Sequence, residues 1–221
     1  MEGYASEQEQ VEVLKTWWKN NGRSVITGLV LGFAAIFGWR TWQGNVATQM
    51  EGASRGFQQM MGQIAEKKPE EARKTGSEIV AKFERSPYAV FASLALAKLA
   101  VEEAHDLTAA KKHLQWALEH VTGRELIPLI RMRLARLHLA EGNTDQALAI
   151  LQDIPDAAAA KLPSYQELKG DILAAQGKAD EARRAYVEAL ALQGTDRSRV
   201  SMVEMKLNDV GEGPPAPTQS P

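Results

Sequence analysis

The apolar positions of this chain are distributed in two ways. In one stretch, residues 25–39 (VITGLVLGFAAIFGW), they run on with no charge and a single hydroxyl, Thr27. Elsewhere they recur at three- and four-residue spacing, separated by charged and small polar side chains. A run that is apolar on every side of a helix suits hydrocarbon, whereas a stripe suits one buried face. The run alone spans only about 22 Å at helical rise. From Gly22 to Trp42 it spans roughly 31 Å, enough for the hydrocarbon core if Arg23 and Arg40 turn their charges to the headgroups. Trp17 and Trp18 before it and Trp42 after it suit interfacial aromatic belts. The pattern predicts a transmembrane signal-anchor helix over residues 23–42. A buried core helix is the alternative at this length, and the Trp and Arg flanks argue against it. A cleaved leader fits poorly: the preceding segment is as acidic as it is basic, and the run ends Gly38-Trp39-Arg40-Thr41-Trp42 instead of in small residues.

Ahead of the span, Val11, Leu14 and Trp18 recur at helical spacing beside Val13 and Trp17. This predicts a short amphipathic helix at the membrane surface within a cytoplasmic segment 1–22. Lys15, Lys19 and Arg23 before the span outweigh Arg40 and Arg55 after it, a slight bias toward a cytoplasmic N-terminus. Gly28 and Gly32 form a G-x-x-x-G pair, the candidate contact for another membrane helix.

After the span the stripes repeat. The second helix of each unit carries a small residue, a bulky one four later and a small or apolar one after three more: Ala110, Leu114, Ala117; Ala147, Leu151, Ile154; Ala182, Tyr186, Ala189. The units are 37 and 35 residues apart, and Ala72, Gly76 and Ile79 form a worn copy upstream. Helix–turn–helix units with a period near ~34 residues are the tetratricopeptide signature. Gly142 and Gly177 fall where paired helices turn, and Pro128 and Pro163 where first helices start, with Ser86-Pro87 and Lys68-Pro69 making similar starts. Asn143 with Gln146 reads as a capping box. A helix over 199–207, with Met202, Val203 and Met205, is the expected end cap of a domain spanning 43–210. Residues 211–221 (GEGPPAPTQSP) read as a disordered proline-rich tail. The fold class is all-α: one transmembrane helix, then a tetratricopeptide-like solenoid.

The chemistry of the chain narrows the function classes. The net charge of −2 is too even to track a nucleic-acid backbone. There is no cysteine, hence no thiolate metal site, disulfide or cysteine nucleophile. His105, His113, His120 and His138 lack metal-ligand spacing and read as surface histidines, and no catalytic or nucleotide motif occurs. No enzyme and no cofactor are expected. What remains is a surface. The inward positions of the first helices, Ala92, Ala95, Leu99, Leu129, Met132, Arg136, Leu139, Glu167, Asp171 and Ala174, outline a groove. Leu99, Met132, Arg136, Leu139 and Asp171 are its candidate partner-binding residues, suited to an extended or helical polypeptide unless the chain's own helices cover them.

One block of residues is specific. Tyr4, Glu9-Gln10-Val11-Glu12, Lys15, Trp17-Trp18, Asn21-Gly22, Gly28, Gly32, Gly38-Trp39-Arg40 and Trp42 resemble the ancillary subunit of the bacterial SecYEG translocon, a tetratricopeptide-like family. The similarity continues through Ala92-Ser93-Leu94, Arg133-Leu134-Ala135-Arg136, Lys169-Gly170-Asp171 and Met205-Lys206-Leu207. The resemblance implies a single-pass inner-membrane protein with its N-terminus cytoplasmic and its repeat domain periplasmic. It implies contact with the translocon and with a membrane-anchored periplasmic chaperone of the prolyl-isomerase type, and a part in passing unfolded secretory chains to such chaperones. It supplies no catalytic residues, and the proline-rich tail departs from the family pattern. Two other classes stay open: a regulatory membrane protein whose cytoplasmic segment binds a signalling partner, and an assembly factor like the outer-membrane lipoproteins, from which this chain differs in lacking a lipobox cysteine.

Overall fold

The computed structural model describes residues 7–155, 159–192 and 197–211, so Tyr4 and the proline-rich tail beyond Gly211 lie outside the described residues. Those residues form helices α1 (Glu7–Ala65), α2 (Pro69–Lys82), α3 (Pro87–Glu102), α4 (Leu107–His120), α5 (Ile127–Ala140), α6 (Thr144–Gln152), α7 (Pro163–Ala175), α8 (Ala179–Leu192) and α9 (Arg197–Asp209). Short 3-10 turns precede α5 and α7, and no strand occurs among the described residues. The chain divides into two compact units between Glu51 and Gly52.

In the first unit α1 is long and apolar enough to cross a membrane, with a mean hydropathy of 1.4 over its most apolar window. Ile26, Leu29, Leu31, Phe33, Ile36 and Phe37 are all exposed, so the apolar surface runs round the helix. The hydroxyls of Thr27 and Thr41 donate to the carbonyls of Arg23 and Phe37 at 2.9 Å, which satisfies these donors without water. The amphipathic segment ahead of the span is not a separate helix. Its residues from Glu7 onward belong to α1 without a break. Asn20-Asn21-Gly22 looks like a breaker, yet the Asn21 side-chain amide donates to the Trp17 carbonyl at 3.0 Å and the Trp18 ring covers Gly22.

The second unit is a stack of helix pairs. Each predicted trio of second-helix residues is buried: Ala72, Gly76 and Ile79 on α2, Ala110, Leu114 and Ala117 on α4, and Ala182, Tyr186 and Ala189 on α8. On α6, Ala147 and Leu151 are buried, and Ile154, just beyond the helix, packs against the same cluster. Gly142 and Gly177 take φ of +79° and +73° at the turns, where a side chain would be strained. Pro87, Pro128 and Pro163 stand in the first positions of α3, α5 and α7.

The fit between paired helices is set by volume. In α7, a Cβ on Gly170 would lie 2.4 Å from the Tyr186 ring. One repeat earlier the first helix carries Ala135 where its facing residue is the smaller Leu151, both fully buried. The worn copy reverses the arrangement: Gly76 on α2 leaves room that Met60 and Leu96 fill. Side-chain size is traded across the contact while the helix spacing is kept.

Two terminal details differ from expectation. Asn143 caps no backbone N–H of α6; its amide donates instead to the Glu141 carboxylate at 3.2 Å, so the capping box with Gln146 is not formed. At the end cap, Val203, Leu207 and Val210 pack inward, while Met202 and Met205 are 56% and 62% exposed. In α9, positions three and four apart share a face, and Val203 with Leu207 claims the inner one.

Candidate partner-binding groove

The five expected groove residues do not form one surface. Leu99 is buried in the cluster of Met60, Ala72 and Ile79, and Met132 in the cluster of Ala135, Ala147 and Leu168. Ala92 is also fully buried. Leu99 and Met132 are thus core side chains. The inward stripe of a first helix also faces the neighbouring pair, and apolar residues on it are drawn into that contact. Leu139 is half-buried against the Met132 cluster. Arg136 is exposed. Asp171 is occupied: it accepts from the Tyr186 hydroxyl at 2.9 Å and pairs with Lys206 of α9 at 2.9 Å. Gly28 and Gly32 lie in the first unit with open space where a Cβ would be.

A different set of residues makes a groove. Leu94, Ala97, Lys98, Val101 and Glu102 of α3, Leu114 of α4, and Arg133, Arg136 and Leu137 of α5 line a cavity of about 330 Å³ between successive first helices. Its floor is aliphatic. Its rim carries Lys98, Arg133 and Arg136 against one acid, Glu102. Lys98 and Glu102 approach to 3.7 Å, but both are more than half exposed, and such a pair is worth little in water. Arg133 and Arg136, one turn apart on α5, join no ion pair among the described residues. Burial, and the like charge of Arg136 beside it, hold the Arg133 pKa below the usual guanidinium range. Sequence reasoning found Arg136 but missed Arg133, Lys98 and the apolar floor. The spacing of Phe91, Leu94, Lys98 and Val101 along one face of α3 was the available signal.

Several other charges of this unit are paired between helices. Lys111 of α4 meets Glu141 at 2.6 Å, and Arg131 of α5 binds Asp153. Lys206 spans Glu167 at 2.7 Å and Asp171 at 2.9 Å on α7. Burial works against the Lys206 charge, but the bonds to these two carboxylates more than offset it and hold its pKa above the usual value. The Tyr186 hydroxyl is pushed up strongly, by burial first and by Asp171 beside it. His120 is not a plain surface histidine: its ring stacks on Trp116 with centroids 4.0 Å apart, and its two nitrogens meet the Trp116 carbonyl and Glu84. Among the described residues no three His, Asp or Glu side chains gather as a metal site.

An apolar N-terminal helix followed by stacked helix pairs with alanine at the contacts defines a tetratricopeptide-like repeat protein. The family model described as a tetratricopeptide repeat-like domain matches residues 15–212. The ancillary SecYEG translocon subunit of Haemophilus influenzae is 32% identical over 209 residues, covering 94% of this chain and 99% of that protein. The subunit of the same name from Escherichia coli is 30% identical over 210 residues, covering 95% and 99%. That of Neisseria gonorrhoeae is 29% identical over 216 residues, covering 95% and 100%. The chain belongs to the family of ancillary SecYEG translocon subunits and carries a tetratricopeptide-like domain. The apolar helix and these relatives together fit an inner-membrane protein.

Proposed function

We propose that the protein is a single-pass partner of the SecYEG translocon, with a cytoplasmic N-terminus and a periplasmic repeat domain that binds other proteins. In this role it helps pass emerging secretory chains to a membrane-anchored periplasmic chaperone of the prolyl-isomerase type. The observation that carries the reading is the pairing of an apolar helix with an open, apolar groove in the repeat unit of a chain whose relatives are named for the translocon. Gly28 and Gly32 are the helix-packing residues of the membrane contact, and the repeat unit is the chaperone contact.

The test is co-purification from detergent extracts, with protease added to spheroplasts. SecYEG should co-purify, and protease should digest the chain beyond Asn45 while sparing the segment before the span. Gly28→Leu/Gly32→Leu should lose SecYEG and keep the chaperone. A repeat domain protected from external protease would overturn the orientation. Capture of a cytoplasmic signalling partner through residues 1–22 instead would replace the function.

A further inference from the structure

We infer that the cleft between α3 and α5 is a docking site for an acidic, aliphatic segment of a partner protein, its carboxylates held by Arg133 and Arg136 and its side chains seated on the floor of Leu94, Ala97, Val101 and Leu114. The inference rests on the proposed reading of the repeat unit as a protein-binding scaffold and names what one of its surfaces takes.

Among the described residues no carboxylate neutralises the cation pair. Two guanidiniums one turn apart repel, and partial burial of Arg133 adds a desolvation cost. On the same helix Arg131 is neutralised by Asp153 at the end of α6, so the neighbouring helix supplies a carboxylate to one arginine of α5, and among the described residues none reaches the other two. With Lys98 and Glu102 roughly cancelling, the rim carries two positive charges over an apolar floor. At about 330 Å³ the cavity lies at the small end of ligand pockets, roughly 300–1,000 Å³, and admits a few side chains and no folded surface. Arginine pairs carboxylates bidentately, and a carboxylate seated beside a water-poor floor is held better than one in open solvent. A peptide with acids next to Leu, Ile or Val satisfies both parts. A basic peptide meets the wrong charge, and a purely polar one leaves the floor empty.

The full-length protein in neutral detergent is titrated with a fluorescent peptide in which Leu alternates with Glu, and with its Leu/Lys and Ser/Glu counterparts. The Leu/Glu peptide should bind about tenfold or more tightly than either, weakening as salt rises. Arg133→Glu/Arg136→Glu should lose that preference and favour Leu/Lys, while Arg133→Lys/Arg136→Lys should retain part of it. Circular dichroism reads whether each variant keeps its helices. Equal affinity for the acidic and basic peptides would overturn the inference. So would an unchanged preference in a folded double-Glu variant, or discrimination found only with anionic phosphatidylglycerol vesicles and not with peptide. Co-purification of SecYEG in the same preparations separates the two proposals: retained SecYEG with no peptide preference sinks only the cleft, and absent SecYEG with a clear preference sinks only the translocon role.

Discussion

Arg136 on α5 and Asp171 on α7 stand one repeat apart at the same position of successive first helices, and Lys206 on α9 stands one repeat further. The three have different fates. Asp171 is closed off by Lys206 and Tyr186, and the neighbouring Glu167 shares the same ammonium. Arg136 is left with Arg133, a second cation. The repeat backbone supplies the position, and the residue one period on decides whether the charge there is internal structure or free surface. At the C-terminal end the charges lock the last helix onto the stack. In the middle Arg133 and Arg136 remain available.

The largest expected effects come from breaking the locked end through its packing. Gly170→Ala puts a methyl 2.4 Å from the Tyr186 ring and should cost about 1–3 kcal/mol, since the ring is buried and its hydroxyl is tied to Asp171, so it cannot slide away cheaply. Ala147→Trp, at a fully buried contact in the middle of the stack, should cost at least as much. Urea unfolding of each variant, followed by circular dichroism, measures both. Unchanged midpoints would mean that the helix pairs are looser than their contacts indicate.

Removing one charge at each of the equivalent positions sharpens the comparison. Lys206→Met leaves Glu167 and Asp171 facing each other without a cation and should cost about 1–2 kcal/mol, with the first loss of amide protection in α9. Arg136→Met should change stability by less than about 0.5 kcal/mol, because the residue is exposed and no carboxylate among the described residues pairs with it. Equal losses from the two variants would remove the distinction between lock and free surface.

Much of the architecture was legible in the sequence because one feature, a small residue with a bulky one four later, both sets the helix spacing and repeats. Ala110, Ala147 and Ala182 are fully buried, and Gly142 and Gly177 do turn the chain. The groove was legible only in part. Helical periodicity places Leu99 and Arg136 on an inward stripe, but it does not say which stripe residues the next helix pair covers. That depends on three-dimensional neighbours such as Met60, which reaches Gly76 from α1. Nor does sequence spacing reveal that Lys206 pairs with Asp171, or that Arg133 meets no carboxylate among the described residues. The exposed Met202 and Met205 failed for the same reason: an isolated helix offers several apolar faces, and packing chooses among them.

His120 lies between the two cases, for its pairing is conditional on a proton. Nδ1 is 2.8 Å from the Trp116 carbonyl and Nε2 is 3.0 Å from a Glu84 carboxylate oxygen. Both partners are acceptors, so both ring nitrogens donate only when the imidazole is charged. The stacked Trp116 face also favours the cation. The charged groups that act on the ring are Glu84 across from it and Glu119 beside it on α4. The bond to the Trp116 carbonyl is the first cause that raises the His120 pKa above its usual value; burial opposes it, and the two carboxylates add to it. A folded-state pKa above the unfolded one gives stability that is fully present below the unfolded value, about 6.5, and lost as pH rises through the folded value. The contact joins the end of α4 to the segment between α2 and α3 and is partly solvent-exposed, so its worth is small, under about 1 kcal/mol. His120→Phe keeps a ring on Trp116 and removes both hydrogen bonds. The variant should therefore be less stable than the parent at about pH 6 and converge with it above about pH 8. Urea titrations of both proteins at the two pH values measure this. A stability gap that widens as pH rises would show that His120 is held neutral, and that this pairing belongs with the permanent contacts of the stack.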